Sequence, residues 1–420
     1  MTIRDGETEG LIRTYAAPLF RVAGIDPGLV RITLLNDRAI NAFVATGNRM
    51  FIHTGLIQEV DDPSELIGVM AHESGHIAGG HLAMMPDQMR EALITSIASM
   101  LLGAAAGIAG GGSNAGMGVV MGGQALAERG LYAFSRAQEN AADQAGMSFL
   151  DRNGWSSRGL LRLFERLRDQ EALITDRQDP YVQTHPLTRE RIEAVETHIA
   201  RSRHADAPLP EAFNTALVMV KAKLDGFLDS PQTVLRRYPA SDTAAPARYA
   251  RAIALYRGGH IQPAVDLIDG LLRAQPQNPW LYELKGQVLF DGQRPREAIA
   301  PYRQAVRLQP DEPQLRMELG RVLIESGDPA MLRAAVDEIE TSLRSDDENP
   351  FAWRQLGSAQ GRLGNQGLAN LALAEEAMLK GDLRQAHAQA TRALATLPPG
   401  PSRLRAQDIQ NALRRENRQR

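Results

Sequence analysis

The spacing of apolar residues in the first part of the chain changes from short extended runs to a helical period. Arg31–Leu35 and Arg49–His53 are short runs containing β-branched and aromatic residues, and the turn-forming residues Thr46-Gly47-Asn48 lie between them. These runs predict two strands. From Pro63 the apolar positions follow the period of a largely buried helix, which continues into His72. We therefore expect a small sheet followed by a buried helix.

After a polar run near Pro208 the pattern becomes a repeat. Pro279 and Pro313 occupy equivalent places, as do Gly286 and Gly320, and this spacing matches the period of about 34 residues that is typical of tetratricopeptide repeats. The small residue Gly286 predicts a close approach of paired helices. Units of this kind pack on one another as an α-solenoid and leave a concave groove, which predicts a peptide or protein partner.

Composition agrees with a mainly α protein of two domains. The chain has 420 residues, of which 43% are hydrophobic and only 5% are aromatic. A single core rarely grows to this length, so we place the domains at 1–205 and 206–420. The net charge of −3 offers no basic face for a phosphate backbone, and no nucleic-acid partner is expected.

The absence of cysteine narrows the chemistry further. It excludes disulfides, thiolate zinc sites and cysteine nucleophiles. The first residues, Met1–Glu7, lack the apolar core of a secretory signal. Two interpretations stay open on this ground: a cytosolic protein, or a protein whose signal peptide has been removed.

An uncharged stretch from Ala92 to Ala109 runs into a glycine-rich segment that ends at Gly123. Its length raises the question of a membrane span, but it is rich in Ala, Gly and Ser rather than Leu. A soluble helix pair with a glycine-rich loop is the simplest interpretation. A hairpin in peripheral contact with a membrane through 92–123 is the second, and a true span is the third.

The sequence His72-Glu73-Ser-Gly-His76 has the HExxH spacing of a zinc site. Two histidines four residues apart project from one face of a helix and can bind one metal ion, while Glu73 reaches the water beside it. A catalytic zinc needs a third ligand. His81 follows His76 by five residues, one short of the metzincin spacing, so it does not fill that place. Glu139 is the better candidate.

Glu139 and Asp143 lie four residues apart on a predicted helix and therefore share a face. On spacing alone, a solvated acidic face is the better interpretation of this pair. The combination of HExxH and His81 with Ser135-Arg-x-x-Glu139-x-x-x-Asp143-x-x-Gly146 resembles the HtpX and CAAX-prenyl-protease family of gluzincin metallopeptidases. The resemblance implies that Glu139 binds zinc and that Asp143 orients a ligand histidine.

The same resemblance extends to Thr184-His185-Pro186, which is followed by Arg191. Without it, His185 is only a loop histidine before a proline. In membrane-embedded relatives such a His and Arg face the substrate carbonyl, and in relatives with a repeat domain the His can take the open zinc position and keep the enzyme latent. The resemblance thus implies a catalytic part for Arg191 and a regulatory fourth ligand in His185.

The HExxH motif and the resemblance together imply metal-assisted peptide hydrolysis with one Zn²⁺ per chain on His72, His76 and Glu139. Glu73 would take a proton from the attacking water and pass it to the leaving amine. Strand Arg49–His53 would pair with an extended substrate.

The domain order is similar to the β-barrel assembly-enhancing branch of the family. That branch implies a periplasmic protease that acts on unfolded or misassembled outer-membrane proteins and reaches the barrel assembly machinery through its repeats. Two alternatives remain. One is a latent protease that works mainly as a chaperone or scaffold, and the other is a cytosolic protease with adaptors bound to its repeats.

Overall fold

The computed structural model of the protein describes residues 1–81, 136–173, 185 and 187–419. In this part of the chain the residues form two compact units, Met1–Asp225 and Gly226–Arg420, and each is described by itself. Helices dominate both units, and the described strands lie in the first. The predicted class, mainly α with a small sheet, is confirmed.

The first unit contains one sheet and seven described helices. In chain order its elements are β1 Thr2–Ile3, α1 Gly6–Val22, β2 Arg31–Leu35, β3 Ala42–Ala45, β4 Arg49–His53, α2 Thr54–Glu59, α3 Pro63–Ala78, α4 Arg136–Arg152, α5 Arg158–Leu173, α6 Arg189–Arg201 and α7 Glu211–Leu228, the last of which crosses into the second unit.

The sheet has the order β1-β2-β4-β3. Strands β2 and β4, both predicted from the sequence with these bounds, pair in parallel, with Leu34 opposite Ile52. Strand β3 pairs with β4 in the antiparallel sense. The expectation that β4 pairs with an extended substrate is wrong, because its neighbours already occupy both of its edges. Strand β3 is the outer neighbour of β4, and its other edge has no partner strand among the described residues.

Helix α3 begins where the sequence predicts it. Asp62 caps it by accepting a hydrogen bond from the backbone nitrogen of Ser64 at 2.8 Å, and Pro63 is the first helical residue. The helix packs against α4 and α5. At Gly75 the crossing with α4 is very close, because a Cβ there would lie 2.6 Å from the carbonyl oxygen of Ala142. The crossing brings side chains of both helices to one buried place.

Helix α7 contacts residues near the start of the chain. Lys223 contacts Asp5 at 2.5 Å and Glu7 at 3.3 Å, and the hydroxyl of Tyr15 donates to the carbonyl of Phe213 at 2.6 Å. For this reason the compact units divide at Asp225/Gly226, later than the domain boundary after residue 205 that the sequence suggested.

The second unit is a succession of short helices. They are α8 Pro231–Arg237, α9 Ala245–Arg257, α10 Ile261–Ala274, α11 Pro279–Asp291, α12 Pro295–Leu308, α13 Pro313–Glu325, α14 Leu332–Ser345, α15 Pro350–Arg362, α16 Gln366–Leu379, α17 Leu383–Thr396 and α18 Pro401–Gln419.

The helix pairs of the second unit confirm the repeat that the sequence predicts. Helices α11 and α13 begin at the equivalent residues Pro279 and Pro313, and α12 returns between them. A Cβ on Gly286 would lie 2.5 Å from the ring of Tyr302 on the paired helix. The small residue is therefore what allows a large aromatic side chain to be buried between the two helices.

Several sequence interpretations fall outside the described residues. The stretch 92–123, with its three interpretations, is one of them, and Ser135, Thr184 and Pro186 are others. Where the chain is described, none of its helices combines the length and the apolar character needed to span a membrane.

Candidate metal centre

Helix α3 carries the HExxH residues on one buried face. His72, Glu73 and His76 have no exposed surface. The spacing of four residues brings Nε2 of His72 to 3.0 Å from Nε2 of His76. Two ligand atoms of the type that zinc prefers thus meet at one point.

Helix α4 adds the two carboxylates. The oxygens of Glu139 lie 3.4 Å from Nε2 of His72 and 3.4 Å from Nε2 of His76. One turn further along, Asp143 accepts a hydrogen bond from Nδ1 of His72 at 2.7 Å. Both carboxylates are 1% exposed, so they do not form the solvated acidic face that spacing alone allowed.

His185 reaches the same point from the segment before α6. Its Nδ1 lies 3.3 Å from Nε2 of His72 and 3.2 Å from each oxygen of Glu139, while its Nε2 lies 3.4 Å from Glu73. His185 is 1% exposed. One ligand atom from each of His72, His76, Glu139 and His185 lies within 4.8 Å of all the others.

Arg191, on the first turn of α6, binds the carboxylates of the centre. Its Nε and Nη2 donate to the two oxygens of Asp143 at 2.6 and 2.9 Å, and Nη1 lies 3.0 Å from Glu139. Nη1 also donates to the carbonyl of His185 at 3.3 Å, and the guanidinium lies 4.9 Å from the ring centre of Phe164. These contacts favour a part in positioning the ligands. A contact with the substrate carbonyl, which the resemblance implies, stays a prediction.

His81 contacts His76 but does not belong to the group of candidate ligand atoms. Its Nδ1 is 2.9 Å from Nδ1 of His76, on the side of that ring opposite to Nε2. Sequence reasoning excluded His81 as a third ligand and assigned it nothing else. The residue lies beyond the end of α3, so helical spacing gave no signal for this contact.

The carboxylates of the centre favour a positive charge at the point where the ligand atoms meet. Burial opposes a positive charge on His72, but its hydrogen bonds to Asp143 and Glu139 outweigh burial and raise the pKa of His72 to about 9. Burial and the neighbouring imidazoles lower the pKa of His76 well below its usual value. Burial raises the pKa of Glu73, and neither of its carboxylate oxygens has a hydrogen-bond partner among the described residues.

The residues fit a zinc ion. Nδ1 of His72 donates to the carboxylate of Asp143, so the lone pair of a neutral His72 is on Nε2, which faces Nε2 of His76 and the carboxylate of Glu139. A cation between them satisfies both nitrogens and the carboxylate of Glu139. Imidazole nitrogens with one carboxylate oxygen form a common set of zinc ligands in peptidases.

A HExxH helix crossed by a second helix with a buried glutamate, beside a small sheet, defines a metallopeptidase. The comparison with known families gives the same class. Residues 8–199 match the family described as Peptidase family M48.

Relatives extend the similarity beyond that domain. The chain is 28% identical over 364 residues to the β-barrel assembly-enhancing protease of Yersinia pestis, covering 84% of this chain and 72% of the relative, and the figures for the Escherichia coli K12 protein of that name are the same. Metalloprotease LoiP of Escherichia coli K12 is 31% identical over 156 residues, which is 37% of this chain and 57% of LoiP. Among solved structures, the tetratricopeptide-repeat protein YrrB aligns with 41% of this chain and 90% of its own at 23% identity and a TM-score of 0.34.

Proposed function

We propose that this metallopeptidase is a zinc-dependent endopeptidase that hydrolyses unfolded or misassembled proteins as part of outer-membrane protein quality control in the periplasm. The observation that carries the peptidase chemistry is the buried set of His72, His76 and Glu139 beside the buried carboxylate of Glu73, whose oxygens accept no hydrogen bond among the described residues. The similarity to β-barrel assembly-enhancing proteases over most of the chain supports the substrate class and the compartment.

His72, His76 and Glu139 would hold one zinc ion per chain. When bound, zinc supplies Lewis-acid chemistry that acidifies water and polarises the scissile carbonyl. Glu73 takes a proton from the attacking water and delivers it to the leaving amine. Its buried position raises its pKa, which brings the carboxylate closer to the range that both proton transfers need.

Asp143 and Arg191 keep the ligands in place. Asp143 accepts the Nδ1 proton of His72 and so directs the Nε2 lone pair of that ring at the metal position. Arg191 binds Asp143 and Glu139 at once, which fixes the distance between the two carboxylates and offsets their charge.

Two features concern the substrate. The outer edge of β3, which has no partner strand among the described residues, offers backbone groups to an extended segment of an unfolded protein. The helix pairs of the second unit form the type of repeat that binds protein partners, and we assign contact with the barrel assembly machinery to them.

A second candidate function is a latent protease that acts mainly as a chaperone or scaffold. The observation that favours it is the position of His185, whose Nδ1 lies within reach of His72 and Glu139, where water or substrate would have to enter. In this reading His185 is the fourth ligand of the resting protein, and hydrolysis requires its release.

Cleavage of an unfolded protein such as reduced, carboxymethylated lactalbumin, with zinc content determined on each sample, tests both functions. Cleavage by wild type or His185→Ala, and none by zinc-loaded Glu73→Gln, is the result expected of a peptidase. A higher rate in His185→Ala than in wild type would indicate a latent resting state. If all three proteins hold zinc and none cleaves, the peptidase proposal fails and the scaffold function is favoured.

A further inference from the structure

The two histidines of the HExxH motif have different partners at Nδ1. Nδ1 of His72 is 2.7 Å from a carboxylate oxygen of Asp143, which in turn binds Arg191. Nδ1 of His76 is 2.9 Å from Nδ1 of His81, and the two rings stand nearly perpendicular, at 79°. His81 is 5% exposed, so water does not replace it easily in this contact.

The chain reaches this arrangement through the two glycines after α3. The helix ends at Ala78, and Gly80 has a φ of +60°, a conformation that turns the backbone back toward the helix. The ring of His81 then lies directly over Gly79, where a Cβ would be 2.5 Å from Nε2 of His81. Any side chain at position 79 would therefore push His81 away from His76.

The hydrogen bond has one sensible direction if His76 binds the metal. A neutral imidazole has one N–H and one lone pair. The lone pair of His76 must be on Nε2, which faces His72 and Glu139, so its proton is on Nδ1. Nδ1 of His81 must then accept, which places the proton of a neutral His81 on Nε2.

We propose that His81 is a positioning residue that accepts the Nδ1 proton of His76 and directs the Nε2 lone pair of that ring at the metal, and that Gly79 is the residue that admits it. The inference rests on the metal site proposed above. His81 supplies a neutral acceptor on one side, while on the other side the charge of Asp143 is offset by Arg191. Both ligand rings are thus oriented without a further uncompensated negative charge.

The variants to compare are His81→Ala, His81→Asn, Gly79→Ala and the control His198→Ala. The Oδ1 of an asparagine can occupy the place of Nδ1 and accept the same proton. His198 lies in the same unit, half-buried and 3.1 Å from Asp151, outside the metal centre. Zinc affinity is measured by competition with a chromophoric chelator, and the melting temperature of each zinc-free protein is recorded alongside.

We expect His81→Ala and Gly79→Ala to bind zinc about 10- to 100-fold more weakly than wild type, the usual effect of removing a partner of a ligand histidine. His81→Asn should recover most of the affinity, and His198→Ala should match wild type. Adding Gly79→Ala to His81→Ala should cause no further loss, because both changes remove the same contact. In zinc-saturated protein, kcat should fall in His81→Ala and KM should stay unchanged.

Wild-type affinity in His81→Ala, or an asparagine variant as weak as the alanine variant, overturns the inference. If His81→Ala fails to fold, Gly79→Ala and His81→Asn are compared instead. Weak zinc binding in Gly79→Ala with near wild-type binding in His81→Asn supports the inference, and equal affinities in the two variants overturn it. If wild type itself binds no zinc, the proposed function fails. If wild type and His81→Ala both bind zinc normally, only the inference about His81 fails.

Discussion

The ion pairs of the metal centre differ from the pair Arg294–Glu297 in the repeat unit. Around the metal centre, Arg191 pairs with Asp143 and Glu139, and all three side chains are 2% exposed or less. In the repeat unit, Arg294 pairs with Glu297, and these side chains are 35% and 58% exposed. The two kinds of pair have similar distances but very different surroundings.

The difference in burial determines how much each pair contributes to stability. A buried charge that loses its partner stays desolvated, so the pairs of the metal centre depend on one another. An exposed pair is screened by water and salt and contributes little. Close packing is a second source of stability in the repeat unit, as the contact of Tyr302 with Gly286 shows. Changes of charge should therefore damage the first unit, and changes of volume should damage the second.

The largest effect is expected from Glu73→Gln. The variant removes the group that transfers protons but no ligand, so the rate of peptide cleavage should fall by about 10²- to 10⁴-fold while zinc is retained. The exposed Glu297→Gln should leave the rate unchanged. Cleavage rate and zinc content, measured on the same samples, check this, and loss of zinc in Glu73→Gln would instead mean that Glu73 holds the centre together.

Arg191→Met compares the buried pair directly with the exposed one. Removing the guanidinium takes away the one arginine that binds both Asp143 and Glu139, and the first unit should lose about 3–5 kcal/mol of unfolding free energy. Arg294→Met, the matched change in the repeat unit, should leave thermal unfolding as it is in wild type. Equal shifts in the two variants would contradict the comparison.

Removal of the metal should lower the thermal stability of the first unit and not that of the repeat unit. Ligand binding stabilises only the folded state that contains the site, by about 2.7 kcal/mol when free zinc is 100 times its dissociation constant. A strong chelator should therefore lower the thermal transition of the first unit and leave that of the repeat unit in place. Calorimetry with and without chelator measures both, and an unchanged transition of the first unit would argue against this assignment of the site.

The smallest effect is expected from Gly286→Ala. The added Cβ would overlap the ring of Tyr302, and the repeat unit should lose about 1–3 kcal/mol of unfolding free energy. The control is Gly361→Ala, where the new Cβ would lie 3.8 Å from the Cβ of Ala369, an ordinary contact. Zinc affinity should stay unchanged in both variants. Weaker zinc binding in Gly286→Ala would show that volume changes in the repeats reach the metal centre.

Local patterns in the sequence predicted much of this fold. The spacing of His72 and His76 gave the first two ligand atoms, because both residues lie on one helix with a known period. The first residue of α3 and the strands β2 and β4 were predicted on the same local grounds.

Contacts between distant segments could not be predicted in this way. Glu139 lies on a different helix, and only resemblance to a family singled it out from a solvated acidic face. The inner position of β4 depends on the order of strands in the sheet, which the pattern of one strand does not contain. The contact of His81 depends on how the backbone turns after Ala78, and the orientation of Arg191 depends on the packing of α6.

The central claim is that His72, His76 and Glu139 bind one zinc ion beside Glu73. Anomalous diffraction at the zinc absorption edge, from crystals of the zinc-loaded protein, tests it most directly. We predict one strong peak per chain at bonding distance from Nε2 of His72, Nε2 of His76 and an oxygen of Glu139. A peak elsewhere, or none at this position in zinc-loaded protein, would contradict the claim.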